Sequence, residues 1–249
     1  MLDLRPLWIA GRFLTRLPFP DSGLTAPAEA GRAVPWYPFI GLVLGGLIAS
    51  LAWGLQGTNP GVAAALVLIL WVWSTGALHL DGLADTLDAW VGGLASRERT
   101  LEIMKDPRSG PMGVAAISLA LIAKWAGLQA LIAQGDPWLL LWIPLLARAQ
   151  LPLLLLTAPY ARKEGMAADP FNWLPRRRAW IATLIAWSGC LAMAGWYGLA
   201  LVAATLIIFA LARRTMLQRL GGFTGDTAGA LVEITETLLV LVCALPIGA

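Results

Sequence analysis

The chain has 249 residues, of which 58% are hydrophobic and only 13% charged, with a formal net charge of +3. Soluble domains carry about a quarter charged residues, so this composition excludes an ordinary soluble domain and a disordered chain. It implies an all-α, polytopic membrane helix bundle with the lipid bilayer as surroundings and no nucleic acid as partner. Cys190 and Cys243 both fall in apolar runs, which supports neither a disulfide framework nor a cysteine zinc site.

The N-terminal stretch MLDLRPLWIAGRFLTRLPFP is interrupted by Arg5, Arg12 and Arg16 and lacks a small-residue cleavage pattern, so it is not expected to be a signal peptide. Helical spacing gathers the three arginines on one face, with Leu7, Leu14 and Leu17 opposite. An amphipathic helix in the membrane interface is therefore expected, with Pro6 near its start. Residues 21–34 read as a Pro-, Ala- and Gly-rich linker, so that 1–34 form an N-terminal extension of a single membrane domain spanning 1–249.

About seven spans follow, each judged against a hydrocarbon core that needs about 20 apolar residues: 37–55, 61–80, 113–134, 137–157, 179–197, 198–212 and 227–247. The stretch 179–212 reads as one long helix or two short ones. Basic clusters flank it, Arg176, Arg177 and Arg178 before, Arg213 and Arg214 after. If both clusters stay inside, the number of crossings between them is even, and seven spans is the count that results. The N-terminus is then cytoplasmic, and the basic loops 5–32, 97–108, 162–178 and 213–219 share that side.

The second span runs into LHLDGLADTLDAW, residues 78–90, where Asp81, Asp85 and Asp88 stand at offsets of four and seven. On a helix they fall within roughly a 60° arc. Three like charges so close raise one another's pKa unless a cation sits between them, which points to a divalent metal. The alternative is a solvated helix end. His79 lies roughly 160–240° round the helix from the aspartates and reads as a packed interface residue.

Two glycine-rich loops share the cytoplasmic face: KDPRSGPMG, 105–113, and GGFTGDT, 221–227. Each precedes a span and so offers free backbone N–H groups at a helix start, as a phosphate site would. Neither is a Walker A loop. Lys105 and Arg108 add charge to the first. In the last span Asp226 and Glu233 share a face, with Glu236 nearby, and acids at such depth need a cavity, a cation or each other. Lys124 and Arg148 lie roughly 14–16 Å inside their spans at 1.5 Å per residue. Each either contacts an anionic ligand or pairs with Glu233 or Glu236. Pro144 and Pro152 flank Arg148, so its helix is expected to bend or open there.

These motifs, HLDGLADTLDA, KDPRSGPMG and GGFTGDTAGALVEITE, together with FLTRLPFP and APYARKEG, resemble the cobalamin synthase (adenosylcobinamide-GDP ribazoletransferase) family across nearly the whole chain. One departure is Ala89, where the family commonly has glycine after the last aspartate. The resemblance implies a Mg²⁺-dependent enzyme of the bacterial inner membrane, its site facing the cytoplasm. It would join a corrinoid nucleotide, adenosylcobinamide-GDP, to α-ribazole or its 5′-phosphate with release of GMP. Association with other cobalamin-assembly enzymes is a further expectation. On this reading Asp81, Asp85, Asp88, Asp226 and Glu233 hold metal; Asp85, Asp88 and Lys105 are catalytic, Asp88 as ligand or general base; and Arg108, Gly110, Lys124, Arg148, Gly222 and Thr224 bind substrate. The competing class is a cation-coupled transporter, since carboxylates in membrane helices also mark ion pathways.

Overall fold

The computed structural model describes residues 3–245 except 22, 95 and 163. Helix α1, Arg5–Leu14, starts at Pro6, whose missing N–H costs nothing in a first turn. Its arginines are held by the segment that follows: Arg5 pairs with Glu29 at 2.8 Å, and Arg12 pairs with Asp21. The expected linker is in fact partly helical. Helix α2, Pro27–Ala33, begins where the Glu29 carboxylate accepts the Ala26 N–H at 2.9 Å, and a 3₁₀ turn over Val34–Trp36 carries the chain into α3, Tyr37–Gly54.

Helix α4, Pro60–Thr75, is capped by Asn59, which accepts the N–H groups of Gly61 and Val62 at 3.0 and 3.2 Å. It ends five residues before the expected end of that span. Gly76 and Ala77 both take left-handed backbone, φ +60° and +57°, and the next helix, α5, Leu78–Gly92, leaves at 84° to α4. All three aspartates therefore lie on a separate helix. Short helix α6, Arg97–Ile103, is capped by Ser96. Then come α7, Pro111–Gln134; a 3₁₀ turn at Pro137–Leu141; α8, Trp142–Thr157; short α9, Ala168–Asn172; α10, Arg176–Met193; α11, Gly195–Leu220; and α12, Gly225–Ala244. Among the described residues the only β feature is one isolated parallel bridge, Tyr160 to Phe223. The expected end of the last span, at 247, lies outside the described residues.

Helix α8 is almost wholly buried at the centre, and α3 crosses it closely because Gly41 faces its backbone and Gly45 that of the 3₁₀ turn leading into it. A Cβ on either would sit 2.3–2.4 Å from the carbonyl oxygen of Pro144 or Leu141, so small residues set this approach. Helix α8 continues through Pro152, which offers no N–H to the Arg148 carbonyl four residues back. At its far end Arg176 donates to Leu156 O at 2.9 Å and Arg213 Nε to Thr157 O at 3.2 Å. Two of the four carbonyls that every helix terminus leaves open are satisfied in this way.

Among the described residues five helices are long and apolar enough to cross a membrane, or six if the bent α4–α5 pair is one span. The expected seventh is α10, whose three opening arginines keep it below that standard. The stretch 179–212 resolves into two helices, with the break at Ala194 and with α11 running past Arg213 and Arg214 to Leu220. Exposed Leu, Ile and Trp side chains cover the outer faces of α7, α10 and α11, as a lipid-facing surface requires. The chain is an all-α, polytopic membrane bundle.

Candidate active site

The sharp turn at Gly76–Ala77 aims the first turn of α5 into the bundle, where it meets the start of α12. Gly82 and Gly229 permit this: a Cβ on Gly82 would come within 2.7 Å of Asp226 O. Asp81 is exposed, whereas Asp85 and Asp88, one and two turns on, are half-buried. Asp226, in the first turn of α12, completes the acidic group. Asp85 has Asp81, Asp226 and Asp88 as like-charged neighbours and Arg162 as the opposing cation.

Asp88 is engaged within the protein. Its carboxylate accepts the N–H of Gly110 at 2.7 Å and of Gly113 at 2.9 Å. The first glycine loop therefore binds an anion at a helix start, as its sequence suggests, but the anion is the chain's own. A Cβ on either glycine would overlap the Asp88 carboxylate. Lys105 is exposed beside this loop, and Arg108, 86% exposed, turns back on Asp106 at 2.8 Å. Hydrogen bonds from Arg108 hold the Asp106 carboxyl down at about 2.

The second loop is built around backbone pairing. Phe223 N donates to Pro159 O and Ala161 N to Phe223 O, at 2.9 and 2.8 Å. Gly222 is needed where the chains meet, since a Cβ there would lie 2.3 Å from Pro159 O. Thr224, fully buried, caps α12 by exchanging hydrogen bonds with Thr227. The pairing also delivers Arg162, whose Nη1 lies 2.9 Å from Asp226 Oδ2. Its Nε and Nη2 are buried without a partner among the described residues. Arg162 stands in the APYARKEG motif, yet sequence reasoning gave it no role. Its partner is 64 positions away, and no local spacing signals the contact.

Behind the acids lies a buried ion network. Lys124 Nζ is 2.6 Å from Glu233 and 2.8 Å from Glu236, and Arg148 pairs with Glu236. All four side chains are at most 5% exposed. Of the two roles open to Lys124 and Arg148, pairing with these acids is the arrangement found, and Glu233 is correspondingly occupied. Arg148 Nη2 also lies 3.3 Å from His79 Nδ1.

Asp81 and Asp226 line a cleft of about 70 Å³ together with His79, Gly82, Gly225 and Gly229. Phe13 and Tyr37, which stack at 5.9 Å, and Phe223 also belong to its lining, which is mostly apolar. The N-terminal helix thus helps to build the site. Among the described residues no three acidic, histidine or cysteine groups converge tightly enough to hold a metal on their own.

Comparison with known proteins agrees with this architecture. The family model described as cobalamin-5-phosphate synthase matches residues 6–244. A protein from Pseudomonas paraeruginosa named adenosylcobinamide-GDP ribazoletransferase is 51% identical over 97% of this chain and 98% of its own length. Proteins of the same name from Pseudomonas putida and Stutzerimonas stutzeri are 48% and 46% identical, covering 96% and 98% of this chain and 98% and 99% of theirs. No solved structure matches the chain. A family model over nearly the whole chain, with relatives about half identical over their full length, establishes that the chain belongs to the cobalamin-5-phosphate synthase family.

Proposed function

We propose that this chain joins adenosylcobinamide-GDP to α-ribazole or α-ribazole 5′-phosphate, releasing GMP, at a cleft on the cytoplasmic face of the bacterial inner membrane. The observation that carries the reading is the cleft itself. Acids and glycine-bordered helix starts open toward the side where the basic loops 97–108 and 162–178 lie, the side that positive residues favour, from which a nucleotide substrate arrives. The buried acids that a transporter reading would need are instead neutralised by Lys124 and Arg148.

The donor set fits Mg²⁺. This ion commonly takes one or two carboxylates and completes its octahedron with water and substrate phosphate, so a preassembled cage is not required. Asp81 and Asp226, both facing the cleft, would hold it, with Asp85 behind them. When bound, Mg²⁺ supplies a countercharge for the substrate pyrophosphate and the departing GMP. Two of the five expected ligands are poorly suited: Glu233 is buried against Lys124, and both Asp88 oxygens accept amide N–H groups, which also argues against Asp88 as the base.

In the transfer, a ribazole hydroxyl oxygen bonds to the phosphorus nearer the corrinoid. The bond from that phosphorus to the oxygen bridging to GMP breaks, and GMP leaves with the electron pair. Asp85 is assigned as the group that takes the hydroxyl proton: it stands one turn beyond Asp81 on α5, and among the described residues its carboxylate makes no hydrogen bond or ion pair, which leaves it free to accept one. Arg162 holds Asp226 toward the cleft. Purified protein in detergent or nanodiscs, given both substrates with and without Mg²⁺, should form corrinoid product and GMP in equal amounts only with the metal. Absence of GMP release under all conditions would refute the assignment.

A further inference from the structure

The chain's single histidine sits where the ion network and the cleft meet. His79 is 3% exposed, lines the cleft two residues before Asp81, and has its Nδ1 3.3 Å from Arg148 Nη2. An arginine can only donate, so Nδ1 accepts and the ring proton resides on Nε2. Among the described residues Nε2–H has no protein acceptor. His79 is packed, as its place away from the aspartate face of the helix suggests, and it also belongs to the cleft lining.

We infer that His79 is a substrate-contacting hydrogen-bond donor, its neutral Nε2–H directed at a phosphoryl oxygen in the cleft. This rests on the proposed function and deepens it. Among the described residues the cleft lining carries two side-chain donors, His79 and Tyr37, beside two carboxylates. A phosphate entering next to those acids needs oriented donors as well as a cation. The Arg148 contact fixes the tautomer, and Arg148 is itself fixed by Glu236. The buried network thereby orients a donor at the site surface, and the imidazole keeps its proton throughout the transfer.

Because the chain contains one histidine, protein labelled with ¹⁵N-histidine and purified without a histidine tag gives a single imidazole. Its spectrum should show a protonated Nε2 and an unprotonated Nδ1, and inorganic pyrophosphate with Mg²⁺ should shift the Nε2–H resonance. A proton on Nδ1, or an Nε2 signal unmoved at any pyrophosphate concentration, overturns the inference. This reading does not depend on turnover, so it stays separate from failure of the assay above. In that assay His79→Gln, which retains an N–H near the Nε2 position, should keep kcat within about fivefold. His79→Asn, whose amide reaches only the Nδ1 position, should lose about a hundredfold in kcat, the scale of one oriented donor, with normal membrane accumulation. Equal losses in both variants accompanied by poor accumulation would make the residue merely structural and overturn the donor role.

Discussion

At the scale of single residues, the three aspartates of α5 look equivalent in sequence and differ in their surroundings. Asp88 is a structural anion that accepts two backbone N–H groups at the start of α7, whereas Asp81 opens to the cleft. Replacing Asp88 by Asn turns one acceptor into a donor facing an N–H, which should cost about 2–3 kcal/mol of stability. Thermal unfolding in detergent should show it, and added Mg²⁺ should not restore activity. Unchanged unfolding would mean that Asp88 is not needed to hold the 105–113 loop. Arg162 is expected to act through Asp226: Arg162→Met should raise the Mg²⁺ concentration needed for half-maximal rate, and an unchanged Mg²⁺ requirement would remove it from the site.

At the scale of elements, the hinge between α4 and α5 and the charged girdle behind it decide where the acids point. Ala77 holds a left-handed conformation that a residue with a Cβ adopts at a cost of about 1 kcal/mol, while glycine adopts it freely. Ala77→Gly should therefore unfold at a higher temperature than the native chain, and Ala77→Val at a lower one. The reverse order would contradict the turn described. In the girdle, Lys124→Met leaves Glu233 buried without its cation, a loss of about 3–5 kcal/mol, whereas adding Glu233→Gln removes the stranded charge. The double variant should recover much of the lost stability and accumulation. Failure to recover would show that Lys124 does more than balance charge.

At the scale of the whole molecule, a good part of the design is legible in the sequence and the remainder is not, for identifiable reasons. Composition and apolar run lengths set the class, and the four- and seven-residue spacing places the aspartates on one helix. The 84° break is hidden because the apolar pattern runs on through Ala77, Leu78 and Leu80, and hydropathy does not register backbone handedness. The end of α11 is missed for a related reason: Arg213 and Arg214 are unfavourable in lipid but favourable in a helix that emerges from it, so charge marks the membrane boundary and not the helix end. Contacts such as Asp88 with Gly110 and Arg162 with Asp226 join distant segments, and local periodicity carries no information about them. For the crossing pattern, cysteines placed at Thr58, Asp136 and Trp196 should react with an impermeant reagent from outside, and one at Glu98 should not. The native thiols are buried. Protection of Trp196→Cys together with labelling of the other two would mean that α10 does not cross.

These scales meet at Asp81, the exposed carboxylate that the hinge delivers to the cleft. The most direct test of the site is the Mg²⁺ dependence of turnover in Asp81→Asn, measured beside the native protein with both substrates saturating. Loss of one ligand charge should depress turnover severely at limiting Mg²⁺ and allow partial recovery as Mg²⁺ rises, with membrane accumulation unchanged. Near-native turnover of Asp81→Asn at limiting Mg²⁺ would contradict a metal-binding cleft and leave Asp81 as a solvated residue at a helix start.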